Sequence, residues 1–516
     1  MQKSLLALAA LITFSLACRF GAPPPSTPTP QAQPTPSGGS GFFGGTTQPA
    51  GGLQACLVRP PVIAAGGAAA AGDPGLGDPY YPHLGNGGYD IQHYHVELTV
   101  DLARKHLDGR VRIEAVAAQA LSSFNLELAG MQVDLLTVQG EPAAVSRGSE
   151  MTITPATPLE AGQPFEILVE YSGSPGEGID FSGMEEFEVG WGWYPDGDGA
   201  YVAAEPSGNS TWMPVNEHPS DKATYSYAIT VAKPYVAAAN GVLQDTIDNG
   251  STRTFMWNSA HPMASYLATV GIGLFDIETS RGPNGLPIRN YFEQDISPGV
   301  RNDFARTDEM VELFNEHVGP YPFEVTGVIV HDLDFGFALE TQTMSVFGAA
   351  FTDEYVVAHE LAHQWFGNSV GLNCWQDIWL NEGFATYMSA LWNEHAYGED
   401  ALEDEIELYY RQIAASGPFV SPPGHPGSDD LFNFGVYYRG ALTLHALRER
   451  VGDEVFFRIL QTYYASFRDS NATTADFVAI AEEVSGQQLQ EFFEAWLYAE
   501  DMPDIPEMEL YFSDYQ

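Results

Sequence analysis

The five residues His359-Glu360-Leu361-Ala362-His363 constrain this chain more than any other stretch. Val356, Val357, Leu361 and Ala362 supply apolar surface. Thr352 or Asp353 stands where an N-cap belongs and Gly367 stands where a helix would end, so a helix over 353–366 is predicted. Residues four apart lie on one helical face, so both imidazoles can reach a single ion. Glu360 lies about a quarter-turn away, beside that ion, where it can take a proton from water. The five-residue pattern alone should arise in roughly one in fifty chains of this length, so a third ligand has to decide. Glu382 follows His363 after a gap of 18 residues, at the start of a second predicted helix over 380–396. That gap is long enough for a loop and a return to the same face. Two His and one carboxylate leave the fourth position of a zinc ion open, as a catalytic site requires. A structural zinc site would be closed and usually Cys-rich, and this chain has 3 Cys. Whatever the fold, it must bring these two helices together.

The rest of the chain divides around this pair. From about Tyr89 to Ile277 the pattern is mostly strands, with 94–100 and 165–171 alternating apolar and polar residues between Gly and Pro clusters. This half reads as an antiparallel β domain. His93 and His95 sit two apart on one strand face, but nothing nearby in sequence completes a metal site, so they read as ordinary strand histidines. After about residue 300 the pattern becomes helical, over 304–317, 353–366, 380–396, 435–450, 454–467, 474–484 and 487–500. The expected organisation is a signal peptide over 1–17, a Cys-anchored tether over 18–87, a β domain over 88–277, a catalytic domain over 278–502 and a tail over 503–516. The fold class is multidomain α+β.

Charge narrows the partners. Lys+Arg number 21 against 68 Asp+Glu, a formal net charge of −47. Such a surface repels phosphate, which argues against nucleic acid and against docking on anionic lipid by charge. Lys3 and the apolar run from Leu5 to Leu16, ending in Ala17-Cys18, read as a secretory signal, too short for a comfortable membrane span. A Cys after a small residue there resembles a bacterial lipoprotein cleavage site, with Ser15 where Leu is usual. The expected location is outside the cytoplasm, lipid-anchored through Cys18 at a bacterial cell surface, or else plainly secreted. Residues 19–79 are rich in Pro, Gly, Ala, Thr and Gln, and read as a flexible tether. For Cys56 and Cys374 there are two readings, a mutual disulfide or two unrelated thiols, and the second is preferred.

His359-Glu360-x-x-His363, the 18-residue gap and Asn381-Glu382-Gly383-Phe384-Ala385 resemble the gluzincin peptidases, in particular the aminopeptidase N family. Gln364-Trp365-Phe366-Gly367-Asn368 extends the likeness. So do the stretch from Trp212 to Ala223, similar to that family's β-domain signature, and Tyr437-Tyr438-Arg439-Gly440-Ala441, similar to its Tyr-x-Lys-Gly stretch. The resemblance implies a saddle-like β domain packed on a thermolysin-like zinc peptidase domain, with one Zn2+ per chain and peptide substrates bearing a free N-terminus. It implies Glu360 as general base, and Tyr437 and the metal as stabilisers of the oxyanion. Glu340, in Phe337-Ala338-Leu339-Glu340-Thr341, stands where the family has Gly-Ala-Met-Glu-Asn, whose Glu pairs with the substrate ammonium. Glu205, in Ala204-Glu205-Pro206, stands where the family has a Gln that also contacts the amine. Ser389 replaces a Glu found in many members seven residues after the zinc Glu. The likeness is to a short form, without the large C-terminal helical domain of many relatives.

The expected activity is that of a zinc aminopeptidase. An endopeptidase or other amide hydrolase would share the metal site, and a surface-anchored binding protein with a dead peptidase fold would share the architecture. The intact ligands, base and tyrosine argue against the latter.

Overall fold

A computed structural model describes Val58 and residues 67–515, except 149, 177–191, 197–198, 334–336 and 418–419. The signal peptide, Cys18 and Cys56 lie outside the described residues.

The first half is built on an eight-stranded sheet. Its strands run in the order Val242–Asp248, Thr252–Met263, Ala223–Ala232, Tyr89–Asp101, His106–Ala117, Pro164–Gly173, Gln132–Val138 and Glu141–Pro142. Alternation sets its two faces: Val96, Leu98 and Val100 are buried while Glu97 and Thr99 are exposed. The sheet is not wholly antiparallel as expected, because Tyr89–Asp101 pairs in parallel with Ala223–Ala232. That pairing brings the segment just before Ala223 back beside the start of the domain. Two four-stranded sheets complete this half. One of them carries Gly199–Ala203, which leads directly into Glu205.

The second half opens on a five-stranded sheet, ordered Phe275–Arg281, Pro287–Glu293, Thr326–His331, Ser345–Gly348 and Ala338–Leu339. The expected boundary after 277 falls inside the strand Phe275–Arg281, which pairs with Pro287–Glu293. Its three inner strands run parallel, and Thr326–His331 is buried on both faces. A doubly buried strand has no polar alternation, which is why the reading after residue 300 shows helices only. The short antiparallel hairpin of Ala338–Leu339 against Ser345–Gly348 presents Glu340 at its end.

Nine helices are described here: α1 (Pro298–Asp303), α2 (Thr307–His317), α3 (Glu354–Ala362), α4 (Trp379–Tyr397), α5 (Glu399–Ser416), α6 (Gly440–Val451), α7 (Asp453–Phe467), α8 (Thr474–Ser485) and α9 (Gln490–Leu497). The α3 helix starts where Asp353 caps the Val356 amide at 2.9 Å. It ends four residues before Phe366, because the chain turns at His363 and Gly367 takes φ +124°. The α4 helix is buried continuously from Trp379 to Asn393, and α3, α5 and α6 pack around it. The α5 helix is not among the expected ones, although Leu402, Ile406, Tyr409 and Ile413 are its buried stripe at helical spacing.

Three further expectations differ from the structure. The segment assigned to the tether takes part in the fold from Ala70 onward. Ala70–Ala71 joins a sheet beside Leu121–Leu126, and buried Asp78 accepts from the amides of Tyr80, Tyr81 and Trp375. Its few apolar groups suffice because buried side-chain hydrogen bonds replace them. Cys374, expected as a free thiol, is disulfide-bonded. The expected tail also folds back: Ile505 and Leu510 are buried, and Tyr410 donates to the Pro503 carbonyl at 3.1 Å.

Candidate active site

The crossing of α3 and α4 brings the three expected ligands together. His359 Nε2 lies 3.2 Å from Glu382 Oε2. His363 Nε2 lies 3.1 Å from His359 Nε2 and 3.5 Å from the same carboxylate oxygen. A tetrahedral zinc ion with bonds of about 2.0–2.1 Å requires its ligand atoms to be about 3.3 Å apart, so the triangle has the size such an ion needs. The tautomers agree. His363 Nδ1 sits 3.1 Å from the Phe366 carbonyl, to which it can only donate, so in its neutral, metal-binding form Nε2 carries the lone pair facing the site. Burial would raise the Glu382 carboxyl, but the two imidazoles outweigh it and hold it at about 2.

Three more carboxylates surround this triangle. Donor oxygens of Glu205, Glu340 and Glu382 lie within 4.8 Å of one another. Glu205 Oε1, Glu340 Oε1 and Glu360 Oε2 are buried with no hydrogen-bond partner among the described residues. Burial, with the charge on Glu382, pushes the Glu340 carboxyl up to about 7, although His363 works against this. Burial and the neighbouring carboxylates push Glu205 and Glu360 well above the usual range. The same field acts oppositely on His363, which Glu340, Glu382 and Glu360 raise to about 10 against its burial. Unpartnered buried carboxylates are costly. The donor set and the field both fit a divalent cation in the triangle and a second positive group beside it.

The fourth wall carries Tyr437. It lies in one turn of π-helix, Gly435–Arg439, that leads into α6. Such turns re-aim a side chain within an otherwise α-helical run. The Tyr437 ring stacks at 24° on the His359 ring with centroids 6.0 Å apart. A close helix contact puts it there: a Cβ on Gly383 would meet Gly440 Cα at 2.9 Å, so only two glycines allow α4 and α6 to approach this far. Arg439 fixes the segment from the other side, donating to the carbonyls of Trp496, Ala495 and Ala499 at the end of α9.

All seven expected site residues thus converge. Ser389 does not join them; its hydroxyl donates to the Ala385 carbonyl inside α4 at 3.1 Å. His93 and His95 lie away from this site, linked to each other and to Ser226, Thr224 and Glu114 by hydrogen bonds.

Residues 91–267 match the family model described as the Peptidase M1 N-terminal domain, and residues 337–496 match the Peptidase family M1 domain. Between them they cover more than half of the chain. The chain belongs to peptidase family M1. It is similar to a crystal structure of an M1 zinc metallopeptidase mutant from Deinococcus radiodurans bound to a Tyr-Ser-Ala substrate. The TM-score is 0.76 at 29% identity, over 84% of this chain and 99% of that one. A two-domain M1 zinc metallopeptidase mutant bound to L-tryptophan gives a TM-score of 0.78 at 29% identity and the same coverage. Aminopeptidase M1 of Arabidopsis thaliana is 29% identical over 59% of this chain and 37% of its own length. The chain therefore spans little more than a third of that curated relative. Its M1 architecture is an N-terminal β domain followed by a thermolysin-like zinc peptidase domain.

The sequence reading gives no role to Gln364, Asn368 or Lys222, although each stands inside a motif that it singles out. Their partners are backbone carbonyls distant in sequence, which residue spacing does not disclose.

Proposed function

We propose that this M1 peptidase is a zinc-dependent aminopeptidase that removes N-terminal residues from peptides outside the cytoplasm. One observation carries the exopeptidase reading: the metal triangle and an anionic pocket share Glu382, and that pocket holds Glu340 and Glu205 with unpartnered buried oxygens. A peptide's α-ammonium is a cation of the right size for that pocket. The peptide and amino-acid ligands in the Deinococcus and two-domain structures support the same reading.

His359, His363 and Glu382 would hold a zinc ion, which would supply Lewis-acid polarisation of the scissile carbonyl and of a water molecule. Glu360, whose buried Oε2 has no other hydrogen-bond partner among the described residues, takes the water's proton. It then delivers that proton to the leaving amine. Burial and four nearby carboxylates raise the Tyr437 hydroxyl, so it remains a donor and hydrogen-bonds the developing oxyanion. Glu340 and Glu205 hold the ammonium, which sets the first peptide bond beside the His359–His363–Glu382 triangle. The test is a panel of aminoacyl fluorogenic amides, each with a free and an N-acetylated amine. Hydrolysis confined to the free amines is expected; comparable hydrolysis of both would point to an endopeptidase or a general amide hydrolase.

We further propose lipid anchoring at Cys18. The signal-like run before it and the Pro/Gly-rich stretch after it support a membrane-held enzyme, and two or three acyl chains give stable attachment where one does not. Expressed in a bacterium, the protein should incorporate labelled fatty acid, and Cys18→Ser should abolish the label. A wholly soluble, unlabelled wild type would mean plain secretion.

A further inference from the structure

Two motifs remain without a task, the β-domain stretch from Trp212 to Ala223 and the Gln364–Asn368 extension of the metal helix. Their hydrogen bonds end on the backbone at Glu340 and on the backbone just after Glu205, the two residues assigned to the amine. Glu217, inside the first motif, accepts from the amides of Gly208 at 2.6 Å, Asn209 at 2.5 Å and Ser210 at 3.4 Å. Those amides lie three to five residues after Glu205, so one buried carboxylate pins the loop that carries it. Charge-assisted bonds to backbone amides are the strong kind.

Lys222 closes the same motif. Its ammonium donates to the carbonyls of Asn368 at 2.9 Å, Ser369 at 3.0 Å and Ser470 at 2.9 Å. All three of its protons are used. The ammonium is enclosed against a glycine, since a Cβ on Gly371 would meet Lys222 Cε at 2.7 Å. Asn368 in turn donates from Nδ2 to the Glu340 carbonyl at 2.7 Å, and Gln364 donates from Nε2 to that carbonyl at 3.0 Å. Gln364 Oε1 also accepts from the Thr343 amide at 2.8 Å. Two side-chain amides thus take both lone pairs of one carbonyl, at the end of a strand only two residues long. Those bonds hold the backbone from which the Glu340 side chain projects.

We infer that Lys222, Asn368 and Gln364 are positioning residues for amine recognition, a brace from the β domain that aims Glu340 at the substrate's α-ammonium, with Glu217 performing the same task for Glu205. The inference rests on the aminopeptidase reading above. It assigns these side chains to specificity and not to metal binding: the brace donates to the backbone carbonyls of Glu340, Asn368, Ser369 and Ser470, and its one link to a metal ligand among the described residues is from the Asn368 backbone amide to the His363 carbonyl at 3.0 Å.

The experiment compares Lys222→Met and Asn368→Asp with wild-type holoenzyme. Asn368→Asp keeps the side-chain volume and turns the donor facing the Glu340 carbonyl into a charged acceptor, so it breaks the same link and serves if Lys222→Met does not fold. Three quantities are read: zinc content, steady-state kinetics on an aminoacyl fluorogenic amide, and hydrogen exchange of the Thr343 amide. Outer-shell partners typically change activity roughly 10- to 100-fold. A rise of that order in KM is expected, with kcat within about threefold of wild type, unchanged zinc and faster exchange at Thr343. Loss of zinc, or a fall in kcat with KM unchanged, would overturn the assignment. So would wild-type kinetics together with wild-type exchange. If the wild type itself failed to hydrolyse free-amine substrates, the aminopeptidase reading would fall. Exchange at Thr343 would then decide the brace alone: faster in the variants if it exists, unchanged if it does not.

Discussion

Replacing Glu360 by Gln is expected to leave one zinc per chain and to lower kcat by about 10²- to 10⁴-fold, the usual contribution of a positioned general base. The amide is nearly isosteric with the carboxylate, so the fold of α3 and the His359–His363 spacing should persist. What disappears is the group that accepts the water's proton. Because Glu360 is also one of the carboxylates crowding the site, its neutralisation should ease ionisation of its neighbours. KM for free-amine substrates should therefore stay level or fall slightly. Stopped-assay kinetics with metal analysis on the same preparation check this. Wild-type kcat in the variant would remove Glu360 from the mechanism.

The Glu340→Ala variant is expected to lose about 2–4 kcal/mol of transition-state stabilisation on free-amine substrates, roughly 30- to 1000-fold in kcat/KM. The reason is the pocket's dryness. Glu340 is 2% exposed, so the site offers little solvent screening. An ammonium entering it meets a charged acceptor where such hydrogen bonds are strong. Glu205→Ala should cost less, since Glu340 would still be present to receive the charge. The control is the N-acetylated form of each substrate, whose poor hydrolysis should not worsen by a comparable factor. Equal losses on both forms would show that Glu340 supports the fold and does not read the amine.

The metal site was legible in the sequence because its ligands sit at spacings that helix geometry translates directly into one face, His359 with His363, and a short return to Glu382. Tyr437, Glu340 and Glu205 were legible only through family resemblance. Their approach to the site depends on a π-turn, a two-residue strand and a loop pinned by Glu217, none of which has a local signature. The parallel inner strands near Thr326–His331 were missed because burial on both faces erases alternation. Helix α5 was missed despite a readable stripe of Leu402, Ile406, Tyr409 and Ile413. Residues 70–87 read as linker because their composition is poor in apolar groups. They are held instead by Asp78 and by Asn86, whose amide donates to Asn216 Oδ1 at 2.6 Å. Side-chain-to-backbone bonds between segments far apart in sequence leave no trace in a local pattern.

The most direct test titrates zinc into chelator-stripped protein while the initial rate on an aminoacyl fluorogenic amide is followed. Held by His359, His363 and Glu382, the ion should restore activity along a line that breaks at one equivalent per chain, and Glu382→Ala should show no such recovery. Full activity surviving complete removal of metal, or recovery undiminished in Glu382→Ala, would contradict the account.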